Sequence, residues 1–163
     1  MTKEESRTLH ALYAAVHRAH KDVPTVWTDH ECNRVLTAIM AAKPFSWRVV
    51  GITPQALRQF SDLAFRYKSK LGFTRAHIHP RIETVRSLLA PEDPVPESDF
   101  IDIWIKNDRT VICSRGENVA ALPEYIPFEN DDGALFSCAG KLAGWHHKKQ
   151  EIEFLKNLFQ KTP

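Results

Sequence analysis

The sequence predicts an α+β fold, helical in its N-terminal half and strand-bearing in its C-terminal half. Two patterns lead there. Up to about Tyr67, apolar residues recur at three- and four-residue spacing behind capping signals, which is the period of a helix face. From Thr74 to Arg81 the side chains alternate with a period of two, and β-branched residues cluster again between Ile101 and Ile112, as strands require.

The elements follow in order. Thr2 and Glu5 form a capping-box pattern ahead of Leu9, Leu12, Tyr13 and Val16, so a first helix runs to the neighbourhood of His20 to Pro24. Thr28 and Glu31 repeat that signal before Cys32, Val35, Leu36, Ile39 and Met40, a second helix that must end before Pro44. Residues 45–50 are too short to assign, and Gly51 and Pro54 punctuate them. Thr53 as cap and Pro54 in the first turn open a third helix through Leu57, Phe60, Leu63, Ala64 and Tyr67. A strand covers Thr74 to Arg81, and a short helix covers Ile82 to Leu89. The proline-rich acidic stretch from Ala90 to Ser98 reads as a surface loop inserted between two strands. Phe100 to Ile105 and Thr110 to Ile112 bracket Lys106-Asn107-Asp108-Arg109 as a hairpin. A short helix near Glu117, a turn at Phe128–Gly133, and a final amphipathic helix from Gly144 complete the chain. That last helix would keep Trp145, Ile152, Leu155, Leu158 and Phe159 inside, Lys148, Lys149, Glu151 and Glu153 outside, and His146 and His147 in its first turn.

At 163 residues the chain fits a single domain, with a helical part over residues 1–70 and a second part over 71–163. No apolar run reaches the length of a membrane span, and the N-terminus lacks the basic-then-apolar plan of a signal peptide, so a cytoplasmic protein is expected. Cys32, Cys113 and Cys138 are odd in number and far apart, which leaves neither a disulfide framework nor a zinc knuckle. The net charge is only +2, so a nucleic-acid partner would need a local basic surface. Arg58, Arg66, Lys68 and Lys70, just ahead of Arg75 and Arg81, could supply one.

Arg75, His77 and His79 share one side of the alternating strand, which sets a guanidinium for phosphate beside an imidazole that can act as a base near neutral pH. The spacing Arg75-x-His77-x-x-Pro80, followed by Asn107 to Asn118, resembles the HNH (ββα-metal) endonucleases. In that superfamily a strand ending His-x-x-Pro is followed by a second strand and a helix carrying an Asn or His metal ligand. The resemblance covers about a quarter of the chain. It implies a ββα-metal, hairpin-plus-helix site in the C-terminal half and a restriction-type enzyme cutting DNA.

On that reading His77 is the general base, Asn107 orients it, and Arg75 clamps the scissile phosphate. Asn118 binds Mg2+ (or Mn2+) through its amide oxygen. Arg66, Lys68, Lys70, Arg81 and Arg115 hold the nucleic-acid backbone, the N-terminal helices bind the DNA target, and two-fold cutting would favour a homodimer. Ala76 stands where many HNH proteins carry a metal-ligating Asp or His, so His79 and the pair His146 and His147 are the candidates to complete the site. Two other readings start from the same residues. Val50 to Leu57 looks like the turn and start of a helix-turn-helix recognition helix, which would make the chain a DNA-binding regulator. The same base and metal could also serve an RNA-cleaving toxin.

Overall fold

The computed structural model describes residues 1–41, 43, 45–67, 71–118, 121–129, 134–138 and 144–162. It is a mixed α+β fold whose N-terminal half is rich in helix. Helix α1 (Lys3–Asp22) starts at Thr2, whose hydroxyl accepts from Glu5 N, and α2 (Asp29–Ala41) starts behind Thr28. The two helices pack with α4 (Arg81–Leu89) and α5 (Glu97–Asn107) around Tyr13, Leu36, Met40, Leu88, Phe100 and Trp104, all but inaccessible to solvent. Tyr13 and Phe100 stack with ring centroids 4.5 Å apart. One face of α1 also ties down the proline-rich loop: Tyr13 Oη donates to Leu88 O and accepts from Val95 N, while ring nitrogens of His10 and His17 meet Val95 O and Pro91 O.

Four strands make the sheet, β1 (Arg48–Ile52), β2 (Phe73–His77), β3 (Arg109–Ser114) and β4 (Ile126–Pro127), in the order β2-β3-β1-β4. Strand β1 runs parallel to β3, whereas β2 is antiparallel to β3 and β4 antiparallel to β1. Helix α3 (Pro54–Asp62) and helix α6 (Lys149–Lys161) cover a second cluster built on Val49, Ile52, Leu57, Phe60, Phe73, Ile112, Phe136 and Leu155. Phe60 lies flat on Phe73, with centroids 4.0 Å apart. No described helix is long and apolar enough to cross a membrane.

Several expected elements differ. The hairpin over Phe100 to Ile112 is a helix followed by a strand: Phe100, Ile101 and Trp104 fall on one helical face behind Pro96, with Glu97 and Asp99 favourable in the first turn. Burial on that face outweighs the β preference of Ile101, Ile103 and Ile105. The third helix stops at Asp62 instead of Tyr67, because the chain turns through left-handed conformations at Ala64 and Phe65. The unassigned stretch before Thr53 is strand β1, with Gly51 inside it. A Cβ there would lie 2.9 Å from Ile126 O and closer still to the Tyr125 ring, so glycine lets β4 approach. Val50 to Leu57 is therefore strand, turn and helix, not helix-turn-helix.

Residues 115–117 form a turn after β3 rather than a helix. The final helix begins at Lys149, so His146 and His147 precede it. Glu151, expected outside, is buried, where its carboxylate accepts from Lys148 N at 2.8 Å and Phe136 N at 3.4 Å. Phe159, expected inside, is 38% exposed. Of the acidic turn at Phe128–Gly133, residues 130–133 lie outside the described residues.

Candidate functional site

Strand β2 delivers Arg75 and His77 to the same side, as the alternation requires, and both reach the indole of Trp47. The Arg75 guanidinium lies 4.6 Å from the ring centroid and His77 packs on it at 4.6 Å between centroids. Arg81, in the first turn of α4, brings a second guanidinium to 4.3 Å from the same ring and 5.6 Å from that of Trp104. Cations over indole faces gain from the ring quadrupole, more so where water is excluded.

Asp108, the residue that ends α5, holds the cluster together. Its backbone N donates to Trp104 O, and its carbonyl accepts from Arg48 N. Its side chain is only 2% exposed, yet both oxygens of the carboxylate accept hydrogen bonds. Oδ1 accepts from Arg81 Nη2 at 2.5 Å and from His77 Nε2 at 3.2 Å, and Oδ2 accepts from Trp47 N at 2.9 Å. Burial would raise the Asp108 pKa. The hydrogen bond from His77 and the Arg81 charge and hydrogen bond outweigh it and bring the carboxyl down to about 2. Trp47 reaches this position with φ of +58°, a left-handed backbone that is uncommon for a bulky residue and is held by its neighbours. Its carbonyl accepts from Thr110 Oγ1 at 3.2 Å and from Arg75 Nη1 at 3.4 Å.

The cluster offers more donors than acceptors. Arg75 is 8% exposed, its pKa is lowered by burial, and among the described residues its acceptor is the single Trp47 carbonyl. The indole nitrogens of Trp47 and Trp104 are buried with no acceptor among the described residues. One carboxylate thus faces two guanidiniums, an imidazole and two idle N–H groups. The recess between His77, Arg81, Thr84, Trp104, Asn107 and Asp108 is too tight for a water molecule.

Of the residues expected in the site, His77, Arg75, Arg81 and Asn107 come together. Asn107 lines the recess, but the residue that touches the imidazole is its neighbour Asp108. His79 lies past the end of β2 and is exposed. Asn118 sits in an exposed bend beyond Ser114, and the register His77↔Thr110, Phe73↔Ser114 puts it at the other end of the sheet, roughly 13 Å along the strand. Arg115 shares that far end, its N donating to Gly72 O, and Arg66 is exposed in the turn after α3. Lys68 and Lys70 lie outside the described residues. His147 is spoken for at both ring nitrogens, Nε2 against Phe65 O at 2.7 Å and Nδ1 accepting from Trp145 Nε1, while it stacks on Phe60. His146 donates its backbone N to Ser137 O.

A divalent metal finds no ready cradle in this donor set. No three His, Cys, Asp or Glu side chains converge among the described residues. The carboxylate next to Asn118, Glu117, is taken by Thr53 Oγ1 and Ser114 N, and that of Asp108 by its three donors.

Reading the sequence missed Asp108 and Trp47. Asp108 carried a usable signal, since it is the one acidic residue between Asp102 and Glu117 and borders a β-branched run. Trp47 carried none, because its role depends on a left-handed turn. No protein family, curated protein or solved structure matches the chain.

Proposed function

We propose that the protein cleaves phosphodiester bonds of nucleic acid at the cluster around His77. The pairing of the partly exposed His77 with buried Asp108, beside Arg75 and Arg81, carries this reading: a phosphodiester at the mouth of the cluster would meet an imidazole base together with guanidiniums that balance its charge. With Nε2–H directed at Asp108, the lone pair of His77 resides on Nδ1, and the carboxylate stabilises the imidazolium that forms when Nδ1 takes a proton. The proton comes from the attacking hydroxyl as its oxygen bonds to phosphorus. The opposite P–O bond breaks, its leaving oxygen takes a proton from solvent water, and the guanidiniums offset the charge gathering on the phosphoryl oxygens.

DNA is the substrate suggested by the HNH-like spacing of His77 and Pro80. The donor set favours RNA as a second reading, because the 2′-hydroxyl supplies an internal nucleophile and the step needs a base and cations but no metal cradle. Incubating the purified protein with supercoiled plasmid and with RNA, each in Mg2+ or in EDTA, tests both. Cleavage of either that His77→Ala slows by about two to four powers of ten supports the assignment. Intact plasmid and intact RNA under all four conditions overturn it.

A further inference from the structure

A groove of about 900 Å3 lies away from His77, at the other end of the sheet, beyond the carboxyl ends of the parallel strands β1 and β3. Open sheets receive ligands at such ends, where a strand hands over to a helix and the neighbouring parallel strand stops beside it. Here β1 passes through Thr53 into α3, and β3 ends at Ser114.

Buried hydrogen-bonded residues back the groove. Ser114, which lines it, is 4% exposed, and Thr53, which bonds to the lining residue Glu117, is 0% exposed. Thr53 Oγ1 donates to Glu117 Oε2 at 2.8 Å, and the same oxygen accepts from Ser114 N; Ser114 Oγ donates to Gln59 Oε1 at 2.9 Å. Gln59 is fixed in turn by donating to Leu71 O. This chain of bonds spans the groove from α3 to the turn after β3 and uses one oxygen of Glu117. The other carboxylate oxygen remains for a ligand donor.

The rim adds two features. Arg58 from α3 and Arg115 from the turn after β3 both line the groove, exposed and without an ion-pair partner among the described residues. Beside them lies a second cavity of about 200 Å3, mostly apolar, formed by Pro54, Leu57 and Phe159; Pro54 and Arg58 border both. Asp62 and Glu124 also stand on the rim, so its charge is mixed. A polynucleotide backbone, one negative charge per step, would meet these carboxylates repeatedly. A small ligand with a single anionic group, several hydroxyl or amino donors and a flat apolar part meets the arginines, the carboxylates and the notch at once.

We infer that this groove binds a nucleoside monophosphate, with the phosphate between Arg58 and Arg115, the sugar hydroxyls donating to Glu117, and the base against Leu57 and Phe159. Glu117, in the turn three residues past the end of β3, lines the groove with a carboxylate oxygen that can accept from sugar hydroxyls. The site is separate from the cluster around His77 and does not rest on cleavage activity.

Calorimetric titration of the full chain with the four ribonucleoside 5′-monophosphates, the matching nucleosides and inorganic phosphate tests the inference. At least one monophosphate should bind, about tenfold or more tightly than its nucleoside and than phosphate alone. Arg58→Ala and Arg115→Ala should each weaken it about tenfold or more, and Phe159→Ala should weaken the nucleotide while leaving phosphate unchanged. His77→Ala should bind it as wild type does, which separates this site from the proposed reacting centre. No binding by any monophosphate, binding no tighter than to phosphate, or unchanged affinity in both arginine variants overturns the inference.

Discussion

Asp108 and His77 meet through Oδ1 and Nε2 at 3.2 Å, although 31 residues and two helices separate them in the chain. Strand β2 and the start of β3 bring them together by antiparallel pairing, with His77 opposite Thr110. Asp108 is buried and His77 partly so, and the charge balance of the contact therefore matters more than that of a surface pair.

Asp108→Asn keeps the shape of the side chain but leaves Arg81 and His77 facing a neutral group in a closed recess. Removing one partner from a buried ionic cluster costs about 3–5 kcal/mol. Urea denaturation should register a loss of that size. A cost below about 1 kcal/mol would show that water already screens the cluster.

Acid should destabilise the fold in two stages. His17 and His147 both have pKa values lowered by burial, so between those values and the unfolded value near 6.5 the unfolded chain binds more protons and stability falls with pH. For His17 the reason is visible, since Nε2 meets Pro91 O while Nδ1 is buried without a partner. The second stage belongs to Asp108. Its folded pKa of about 2, against 3.8 for a free side chain, gives stability that is whole above about pH 4 and worth about 2 kcal/mol, lost as pH falls through 4 toward 2. Thermal midpoints from pH 7.5 to 2.5 check both. His17→Gln, which cannot gain a charge, should flatten the decline between pH 6.5 and 5; an unchanged decline would move the first stage elsewhere.

The helical half was legible because its signals are local. Thr2, Thr28 and Thr53 announce helices that begin where expected, and most of the stripes they precede lie on the buried faces, though Leu12 is 44% exposed and Leu63, Ala64 and Tyr67 fall beyond the end of α3. Strand β2 and its shared Arg75–His77 side were legible for the same reason. What failed was non-local. Residues 100–105 are β-formers by type but bury Phe100 and Trp104 on a helical face that exists only because α1 and α4 are there to meet it. Gly51 looked like punctuation because its neighbours Tyr125 and Ile126 are far away in sequence. Of the site, the strand residues His77 and Arg75 were found, whereas Trp47 and Asp108 come from segments whose conformation is set by that same tertiary packing.

Gly51→Ala tests the close approach of β4. The added methyl would press on Ile126 O and the Tyr125 ring, and the edge strand must shift or peel away. We expect a loss of about 1–3 kcal/mol with the helical cluster intact, seen as early hydrogen exchange at Ile52 and Phe128, whose backbones neighbour β4. Unchanged stability would show that β4 is free to move.

His77→Ala separates proton transfer from binding. If Nδ1 is the base, the variant should retain substrate within a fewfold of wild type and lose about two to four powers of ten in rate. His79→Ala is the control: two residues on, exposed and past the end of β2, it touches neither Asp108 nor Trp47 and should cleave normally. Asn118→Ala carries the remaining expectation from the HNH-like spacing. Its bend lies at the far end of the sheet from His77, so activity equal to wild type across a Mg2+ titration would remove Asn118 from the reaction. Should His79→Ala or Asn118→Ala abolish cleavage while His77→Ala spares it, the cluster around Asp108 is a scaffold, and the chemistry belongs to another part of the chain.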